Sequence, residues 1–410
     1  MKDTQLYSQI LGIEKPWRVM DVRVTLADDE VEVRVEHVGG KLACPKCGKA
    51  CGGYDKRQRR WRHLDTCQLK TLLVADVPRV ECSEHGVVTV SVPWAEPGSG
   101  FTALFEALVI DWLKEASTSA VSERLRLSWN AVDGIMQRAV KRGLSRRGEL
   151  SPKQISVDET SYRKGHDYVT VVTDQDQAVV LHVAENREVG SLTEFYDLLS
   201  VEQKSGIESV CMDMWPAYIK ATRDAIPDAG SKIAFDRFHV AQYLGKAVDQ
   251  VRRQEHRQLS RQGDKRMKGS KYQWLRNRRN MTWHQQRSFS ELRQSSLKTA
   301  RAWAIKDLAS RLWDYRSRTW AEKGWRRLIN WMARSRLKPM QSTSKTLRNH
   351  LWGILNAVIR RVDNSHAESM NSRIKTLKSR ARGFRNRERF RNAIYFHLGG
   401  LQLYPEGVRV

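Results

Sequence analysis

Three acidic residues lie at points in the sequence where their carboxylates could meet. Asp158 ends a short β-branched run at 155–158, and Asp213 follows the apolar residues 210–212. Glu368 lies near the start of a predicted helix in SHAESMNSRIKTLK, residues 365–378. Three carboxylates suit hard divalent cations such as Mg²⁺, and such clusters serve phosphoryl transfer by two metal ions about 3.5–4 Å apart. Taken alone, a strand-end aspartate is more often a cap or turn residue.

A second group of residues has the spacing of a zinc site. Cys44 and Cys47 form a CPKCG turn, and after a long gap Cys82 and His85 form a CSEHG turn. Two such pairs, each spaced to bind one metal, suit a structural tetrahedral Zn²⁺. A disulfide is disfavoured because nothing marks the chain as secreted. The alternative ligands are Cys51 and Cys67.

Charge and aromatic residues are concentrated in one part of the chain. The net charge is +26 and the sequence pI is about 10.0, which predicts a polyanionic partner. Residues 241–361 hold 30 Lys or Arg and 7 Asp or Glu, together with eight of the 14 tryptophans. Basic residues mixed with aromatics suit a surface that follows phosphates and stacks on bases. Arg276, Arg278 and Arg279 are its candidate DNA-binding cluster.

The alternative for these tryptophans is a helical core. Trp313, Trp320 and Trp331 recur near helical spacing with apolar neighbours, so we assign most of the tryptophans to the core.

Length and hydropathy limit the class of protein. A chain of 410 residues with 40% hydrophobic residues predicts two to four domains at about 150 residues each. No apolar run approaches the ~18 residues of a membrane span, and the N-terminus lacks the order of a signal peptide. We therefore expect a soluble, cytoplasmic protein with no membrane partner.

The first 150 residues predict two small modules. Residues 17–37 alternate as two strands around a turn at Asp28 and Asp29. The basic segment RQRRWRHLD at 57–65 is expected on the loop between the metal-binding pairs, either on DNA or as a solvated turn. Three short helices follow, the third starting at Asn130 as N-cap, in a helix-turn-helix order. Candidate DNA contacts are Arg57, Arg59, Arg60, Arg62, Asn130 and Arg138.

From residue 155 to 239 the pattern is three strands followed by alternating helices and strands. The predicted strands are 155–158, 168–173, 178–183, 209–213 and 232–235, and the helices are 192–199 and 217–226. This mixed α/β order matches a ribonuclease-H-like layout, in which the first and fourth strands carry neighbouring acids. Asp236 is either a helix N-cap, the commoner role, or a further acid beside the metals. His239 is more often a packed helix residue than a ligand.

The motifs together resemble a bacterial insertion-sequence transposase of the ISL-three family. The resemblance covers roughly residues 40–400 and rests on CPKCG…ECSEH, RRWRHLD, the helix-turn-helix at 119–141, SVDET, CMDMW, FDRFH and NSHAESMNSRIK. His85 is a local departure, since a fourth cysteine is commoner there. The family implies an Asp-Asp-Glu triad that falls on Asp158, Asp213 and Glu368. It also implies that these residues cut and join DNA at transposon ends.

The resemblance also implies cofactors, partners and a domain order. Two catalytic Mg²⁺, replaceable by Mn²⁺, and one structural Zn²⁺ are expected. The partner is double-stranded DNA, namely terminal inverted repeats and target, bound by a homodimer. On the predicted helix of Glu368, helical spacing places Asn371, Lys375 and Lys378 on or near the face of Glu368. With Arg373 they are further candidate DNA contacts, although Lys375 could equally be solvated.

The expected fold is a multidomain α+β chain. Its domains are a zinc-binding β module (1–98), a helix-turn-helix with linker (99–150), a ribonuclease-H-like catalytic domain (151–240 and 362–400) and a basic helical insertion (241–361). Two other functions stay open: a sequence-specific DNA-binding regulator with an inert third domain, and a structure-selective nuclease. Metal-dependent nicking separates the first, and strand joining at a defined end separates the second.

Overall fold

The computed structural model describes residues 2–39, 42–163, 167–295, 297–361 and 365–408, without the side chains of residues 365–368. These residues form two compact units. Unit 1 is Met1–Arg147 with Tyr395–His397 and Leu401–Val410, and unit 2 is Gly148–Ile394 with Leu398–Gly400. Within the described ranges, no helix has the length and apolarity needed to cross a membrane.

Unit 1 begins with a β module. After α1 (Asp3–Ile10) come β1 (Trp17–Thr25), β2 (Glu30–His37), β3 (Leu42–Ala43), β4 (Ala50–Thr66), β5 (Leu69–Cys82) and β6 (Gly86–Thr89). The sheet order is β1-β2-β5-β4-β3, with β6 also on β5, and only β2 and β5 pair in parallel. The predicted turn at Asp28 and Asp29 is confirmed, because Asp29 has φ 52 just before β2.

The core of this module is built around tryptophans. The ring of Trp94 lies edge-on to Trp17 and Trp61 at centroid distances of 4.9 and 5.4 Å. Alternating residues of β2, including Val31, Val33 and Val35, complete the buried face. Edge-to-face rings and β-branched strand residues are favourable packing partners.

Three helices follow in unit 1, namely α2 (Ala103–Glu115), α3 (Thr118–Arg124) and α4 (Trp129–Ser145). Each begins after a hydroxyl residue, Thr102, Ser117 or Ser128, whose side chain accepts a hydrogen bond from a backbone N–H in the first turn. This N-capping satisfies a donor that the helix leaves free. The predicted N-cap at Asn130 is wrong, since Ser128 takes that role and Asn130 lies inside α4.

Unit 2 contains a five-stranded mixed sheet. Its strands are β7 (Gln154–Ser161), β8 (Tyr168–Asp174), β9 (Val179–Glu185), β10 (Ser209–Met212) and β11 (Ile233–Phe235), in the order β11-β10-β7-β8-β9. β7, β8 and β9 form an antiparallel meander, and β10 and β11 lie parallel to β7. This is the predicted ribonuclease-H-like order. The intervening helices are α5 (Val189–Asp197), α6 (Val201–Gly206), α7 (Pro216–Ala225) and α8 (Ala229–Lys232).

The rest of unit 2 is helical. It comprises α9 (Arg237–Arg261), α10 (Lys271–Leu275), α11 (Trp283–Gln294), α12 (Lys298–Arg311), α13 (Arg318–Arg334), α14 (Lys338–Asn349), α15 (Leu351–Arg360), α16 (Ser365–Arg380) and α17 (Arg387–Leu398). Helices α9 to α15 share one hydrophobic cluster with the sheet. At Gly353 a Cβ would lie 2.5 Å from the ring of Phe235 at the end of β11, so only glycine lets α15 pack this closely on the sheet.

The tryptophans of residues 241–361 divide between core and surface. Trp274, Trp303 and Trp325 are buried, as predicted for most of the set. The helical-spacing prediction is wrong for Trp320 and Trp331, which are 58% and 39% exposed. The buried face of α13 consists instead of Trp325 and its neighbours Ala321, Leu328, Ile329 and Met332. The helical period was therefore predicted correctly, but the helix face that packs into the core was not.

Candidate functional site

Four sulfur and nitrogen atoms of unit 1 come together in a Cys/His cluster, namely Cys44, Cys47, Cys82 and His85. Their ligand atoms all lie within 4.8 Å of one another. The Sγ atoms of Cys47 and Cys82 are 3.7 Å apart, and His85 Nδ1 lies 3.6 Å from Cys82 Sγ and 3.8 Å from Cys44 Sγ. A tetrahedron with metal–sulfur bonds of about 2.3 Å has edges of nearly this length. The donor set therefore fits Zn²⁺.

The cluster is held by two similar turns. Cys44 and Cys47 lie between β3 and β4, Cys82 is the last residue of β5, and His85 lies between β5 and β6. Each turn ends on a glycine, Gly48 or Gly86, with φ of 73 or 64, a conformation that glycine adopts without steric cost. Hydrogen bonds lower the pKa of Cys82 to about 6, first from the Glu84 backbone N–H and then from His85. Thiolate is the form that binds metal.

The basic segment 57–65 lies on a strand and not on a loop. It forms the second half of β4, paired antiparallel with β5. Arg57 and Arg60 are exposed, and Arg60 contacts Glu32 at 3.1 Å. Arg59 is half-buried and donates to the Ser99 carbonyl at 3.1 Å.

Two arginines predicted to bind DNA are engaged inside unit 1. Arg62 is only 8% exposed, pairs with Asp65 and donates to the His63 carbonyl. Arg138 donates to buried Glu106 at 2.6 and 2.9 Å. Arg62 is buried and Arg138 is half-buried, and either guanidinium would lose these contacts on turning to a phosphate. Both stay predicted DNA contacts, as does Asn130, which is exposed near the start of α4.

The carboxyl ends of three parallel strands in unit 2 carry acids. Asp158 follows the last residue of β7 paired with β10, where Val157 lies opposite Met212. Asp213 follows β10, and Asp236 follows β11. We call Asp158, Asp213 and Asp236 with His239 of α9 the acid edge. β7 continues past Asp158 to Ser161, so the predicted strand end there is wrong, but Asp158 does lie where the parallel pairing stops.

His239 lies among the three carboxylates. Its Nδ1 is 3.6 Å from Asp213 Oδ2, and its Nε2 is 3.9 Å from Asp158 Oδ1 and 3.6 Å from Asp236 Oδ2. Asp236 is 3% exposed and caps α9 by accepting from the Phe238 N–H at 2.8 Å. Its predicted capping role is confirmed, and it also faces the histidine. From the sequence, His239 was interpreted as a packed helix residue. Its position three residues after Asp236, the acid that follows a parallel strand, could have indicated that it lies beside the carboxylates.

Burial shapes the charge of Asp158. Desolvation raises the pKa of its carboxyl, while His239, the Glu159 backbone N–H and the Asn371 amide favour the charged form. A cation at this edge would offset the cost of burying the charge. Among the described residues, only the Cys/His cluster brings three or more metal-ligand atoms within 4.8 Å of one another.

The helix α16 contacts the same edge. The side-chain amide of Asn371 donates to Asp158 Oδ2, and Lys378 Nζ donates to the Ser161 carbonyl at 2.8 Å. Arg373 and Lys375 are exposed on this helix. The Glu368 side chain lies outside the described residues, although its backbone belongs to α16.

The cluster Arg276, Arg278 and Arg279 is exposed at the end of α10. Arg279 pairs with Asp314. Buried Lys306 donates to the carbonyls of Trp274, Leu275 and Arg276 at 3.2, 2.7 and 2.9 Å, which fixes the backbone from which the arginines project. Burial lowers the pKa of Lys306 to about 8.

Comparisons with known proteins find three matching family models. An ISL3 model described as "Transposase" matches residues 155–394. The "Helix-turn-helix domain of transposase family ISL3" matches 90–140, and the "zinc-finger of transposase IS204/IS1001/IS1096/IS1165" matches 41–85.

Two curated relatives match over most of their length. The transposase for insertion sequence element IS1557 of Mycobacterium tuberculosis is 27% identical over 420 aligned positions, covering 94% of this chain and 93% of the relative. The transposase for insertion sequence element IS1001 of Bordetella parapertussis is 26% identical over 354 positions, covering 85% and 87%.

Proposed function

The chain belongs to the ISL3 family of transposases and is a DNA transposase, and from this premise we propose that Asp158, Asp213 and Glu368 are its catalytic triad. The triad would hold two Mg²⁺, or Mn²⁺ in their place, for cleavage at the terminal inverted repeats and strand transfer into target DNA. The observation that carries the proposal is the register at the acid edge. Asp158 and Asp213 follow the paired residues Val157 and Met212 on adjacent parallel strands.

The contact between α16 and Asp158 supports Glu368 as the third member of the triad. Asn371, three residues after Glu368, donates to Asp158, and residues three apart lie on the same side of a helix. The Glu368 position therefore belongs to the helix face that passes Asp158. Glutamate supplies the same hard oxygen ligands as the two aspartates.

The triad and Asn371 have separate tasks in this proposal. When bound, two Mg²⁺ would polarise the scissile phosphate and activate the attacking water or 3′-hydroxyl. Asp158, Asp213 and Glu368 would supply carboxylate oxygens. Asn371 orients the carboxylate of Asp158 through its amide, and no protein nucleophile is required.

DNA binding is divided among the modules. The helix-turn-helix and the Cys/His module with its structural Zn²⁺ would read the terminal repeats. The exposed cations Arg276, Arg278, Arg373 and Lys375 would hold phosphates without reading sequence. The four predicted domains remain part of this proposal. We further propose that two copies act together in the bacterial cytoplasm, one at each end of the element, which the mass of the purified DNA complex tests.

The triad is tested by substitutions that remove charge and keep shape. Asp158→Asn, Asp213→Asn and Glu368→Gln should each lower Mg²⁺-dependent cleavage of an end-containing duplex by about two to three orders of magnitude, the range that loss of a central catalytic electrostatic group costs. Binding to the end should change little, because none of the three belongs to the DNA-reading modules. Cleavage is followed on gels and binding by fluorescence anisotropy.

Asp224→Asn is the matched control. Asp224 is 60% exposed and pairs with Lys220 on the surface of α7, so the Asp224→Asn variant should cleave DNA as the parent does. Parental cleavage by any of the three triad variants removes that residue from the proposal. Nicking without joining to target DNA would favour a structure-selective nuclease.

A further inference from the structure

One face of α13 combines exposed tryptophans with cations. Trp320, Lys323, Arg327, Trp331 and Arg334 are all exposed and follow one another at three, four, four and three residues. This spacing places them on a single side of an α-helix. We call these five residues the tryptophan stripe; the buried residues of α13 lie on the opposite side.

The stripe has the chemistry of a stacking surface. Trp320 is 58% and Trp331 39% exposed, and large exposed aromatic rings call for an explanation that scattered small apolar residues do not. Eleven residues separate them, about 16 Å along the helix at 1.5 Å per residue. Lys323 Nζ lies 5.2 Å from the ring centroid of Trp320. Arg327 lies between the two rings.

The charges of the stripe are available to a partner. In the described part of the chain, Lys323, Arg327 and Arg334 have no carboxylate within ion-pair distance. Their neighbour Arg326 differs, because it contacts Glu322 at 2.6 Å. Two free cations between the rings and a third just beyond Trp331 match a polyanion whose planar groups can stack.

A protein partner fits the stripe less well. Two copies of this face would bring like charges together, which opposes association. Two half-exposed rings also offer far less than the roughly 1,200–2,000 Å² that stable protein interfaces bury. Within an intact duplex, base faces are covered by neighbouring bases, so a ring can stack only where a strand is unpaired.

We propose that the tryptophan stripe binds unpaired DNA, with Trp320 and Trp331 stacking on bases and Arg327 contacting the intervening phosphate. Such strands arise when the duplex opens beside a cleaved end. The inference deepens the proposed function, since it assigns part of the DNA contact to α13. It requires no metal and no catalysis.

The test compares binding of the full chain to three probes of one sequence: an intact duplex, a duplex with a single-stranded gap, and the single strand. The double variant Trp320→Ala with Trp331→Ala should lose about 5- to 150-fold in affinity for the gapped and single-stranded probes per base unstacked. The intact duplex should bind within about twofold of the parent, because stacking is not used there. Phenylalanine at both positions should restore most of the loss, whereas leucine should not.

Trp283→Ala is the matched control. Trp283 is 65% exposed with Arg287 over its ring at 5.3 Å, but it lies on α11. It should bind all probes as the parent does. Arg327→Ala should weaken the gapped and single-stranded probes with a shallower salt dependence, since it removes one phosphate contact beside the stacked bases, and should leave the intact duplex near the parent. Because the alanine changes are at exposed positions, thermal unfolding should be unchanged.

Three results would overturn the proposal. They are parental binding of the gapped probe by the double variant, equal loss on duplex and gapped probes, and an equal loss in Trp283→Ala. A double variant that binds every probe normally but changes its mass in solution would assign the stripe to a protein interface. Asp158→Asn should bind the gapped probe as the parent does, so failure of the cleavage proposal and of this one give different results.

Discussion

The Cys/His cluster and the acid edge of this transposase differ in how their charged groups are satisfied. The Cys/His cluster of unit 1 closes on itself, with ligand atoms at tetrahedral edge distances of 3.6–3.8 Å. The acid edge of unit 2 stays open, with acids at three strand ends and the imidazole of His239 at 3.6–3.9 Å from each. A closed set of four ligands suits a structural ion, and an open set leaves room for substrate.

This contrast separates a region of unit 1 that contributes stability from a region of unit 2 that is suited to a reaction. In unit 1 the buried carboxylate of Glu106 is also paired, since it accepts hydrogen bonds from Ser99, Arg138 and Arg142. In unit 2 the half-buried Asp158 carries a carboxyl whose pKa desolvation raises. Carboxyls with perturbed pKa values are concentrated at functional sites.

The largest expected effect comes from opening the closed site. Cys47→Ser should lower bound zinc from about one per chain to near zero and unfold the β module, because a structural metal supplies folding free energy. End-specific DNA binding should be lost with it. Zinc is measured by atomic absorption and folding by circular dichroism.

The exposed Cys67 gives the control. Cys67→Ser should keep both zinc and fold. Zinc retained by a Cys82→Ser variant would show that Cys51 replaces it, and a purified parent without zinc would contradict the closed site altogether.

A smaller effect is expected from the buried ion pairs of unit 1. Glu106→Gln leaves the buried Arg142 and the adjoining Arg138 with less compensation, which should cost about 3–5 kcal/mol of unfolding free energy. For a unit of this size the melting temperature should fall by more than about 6 °C in calorimetry. Glu123→Gln, on the exposed side of α3, should melt as the parent does; equal melting of the two variants would show that the network contributes nothing.

The smallest expected effect concerns the exposed arginine cluster of unit 2. Replacing Arg276, Arg278 and Arg279 by alanine should reduce the slope of log affinity against log salt by up to about 2.7, at ~0.9 per phosphate contact. Preference for the end over random DNA should survive. A charge-matched control replaces Arg253, Arg311 and Arg326, each already paired with an acid four residues earlier. An equal slope change in both triple variants would mean that net charge, and not this cluster, holds the DNA.

The sequence predicts best what is local. The two turns of the Cys/His cluster each span a few residues, so their spacing shows directly which atoms can share a metal. The strand order around Asp158 and Asp213 follows from alternating patterns and was also predictable. By contrast, the exposure of Trp320 and the pairing of Arg138 with Glu106 depend on which helix face meets the core. Periodicity predicts that a helix has an apolar face, but it does not show which face packs against the core.

Distant contacts explain what sequence reasoning missed at the acid edge. The contact between His239 and Asp158 joins residues 81 positions apart, and it exists only because β11 and β7 flank β10 in one sheet. The segment 57–65 shows the same limit. Its charges suggested a loop, but its backbone is a strand because β5 offers a long partner.

In the proposed function, metal ions at the acid edge contact the scissile phosphate. The most direct test uses an end-containing duplex with sulfur in place of either non-bridging oxygen of that phosphate. Sulfur is a poor ligand for the hard Mg²⁺ and a better one for Mn²⁺. Cleavage of at least one sulfur isomer should therefore be blocked in Mg²⁺ and restored in Mn²⁺, with the oxygen substrate cut in both. Equal cleavage of all substrates in Mg²⁺, or cleavage without any divalent ion, would contradict the claim.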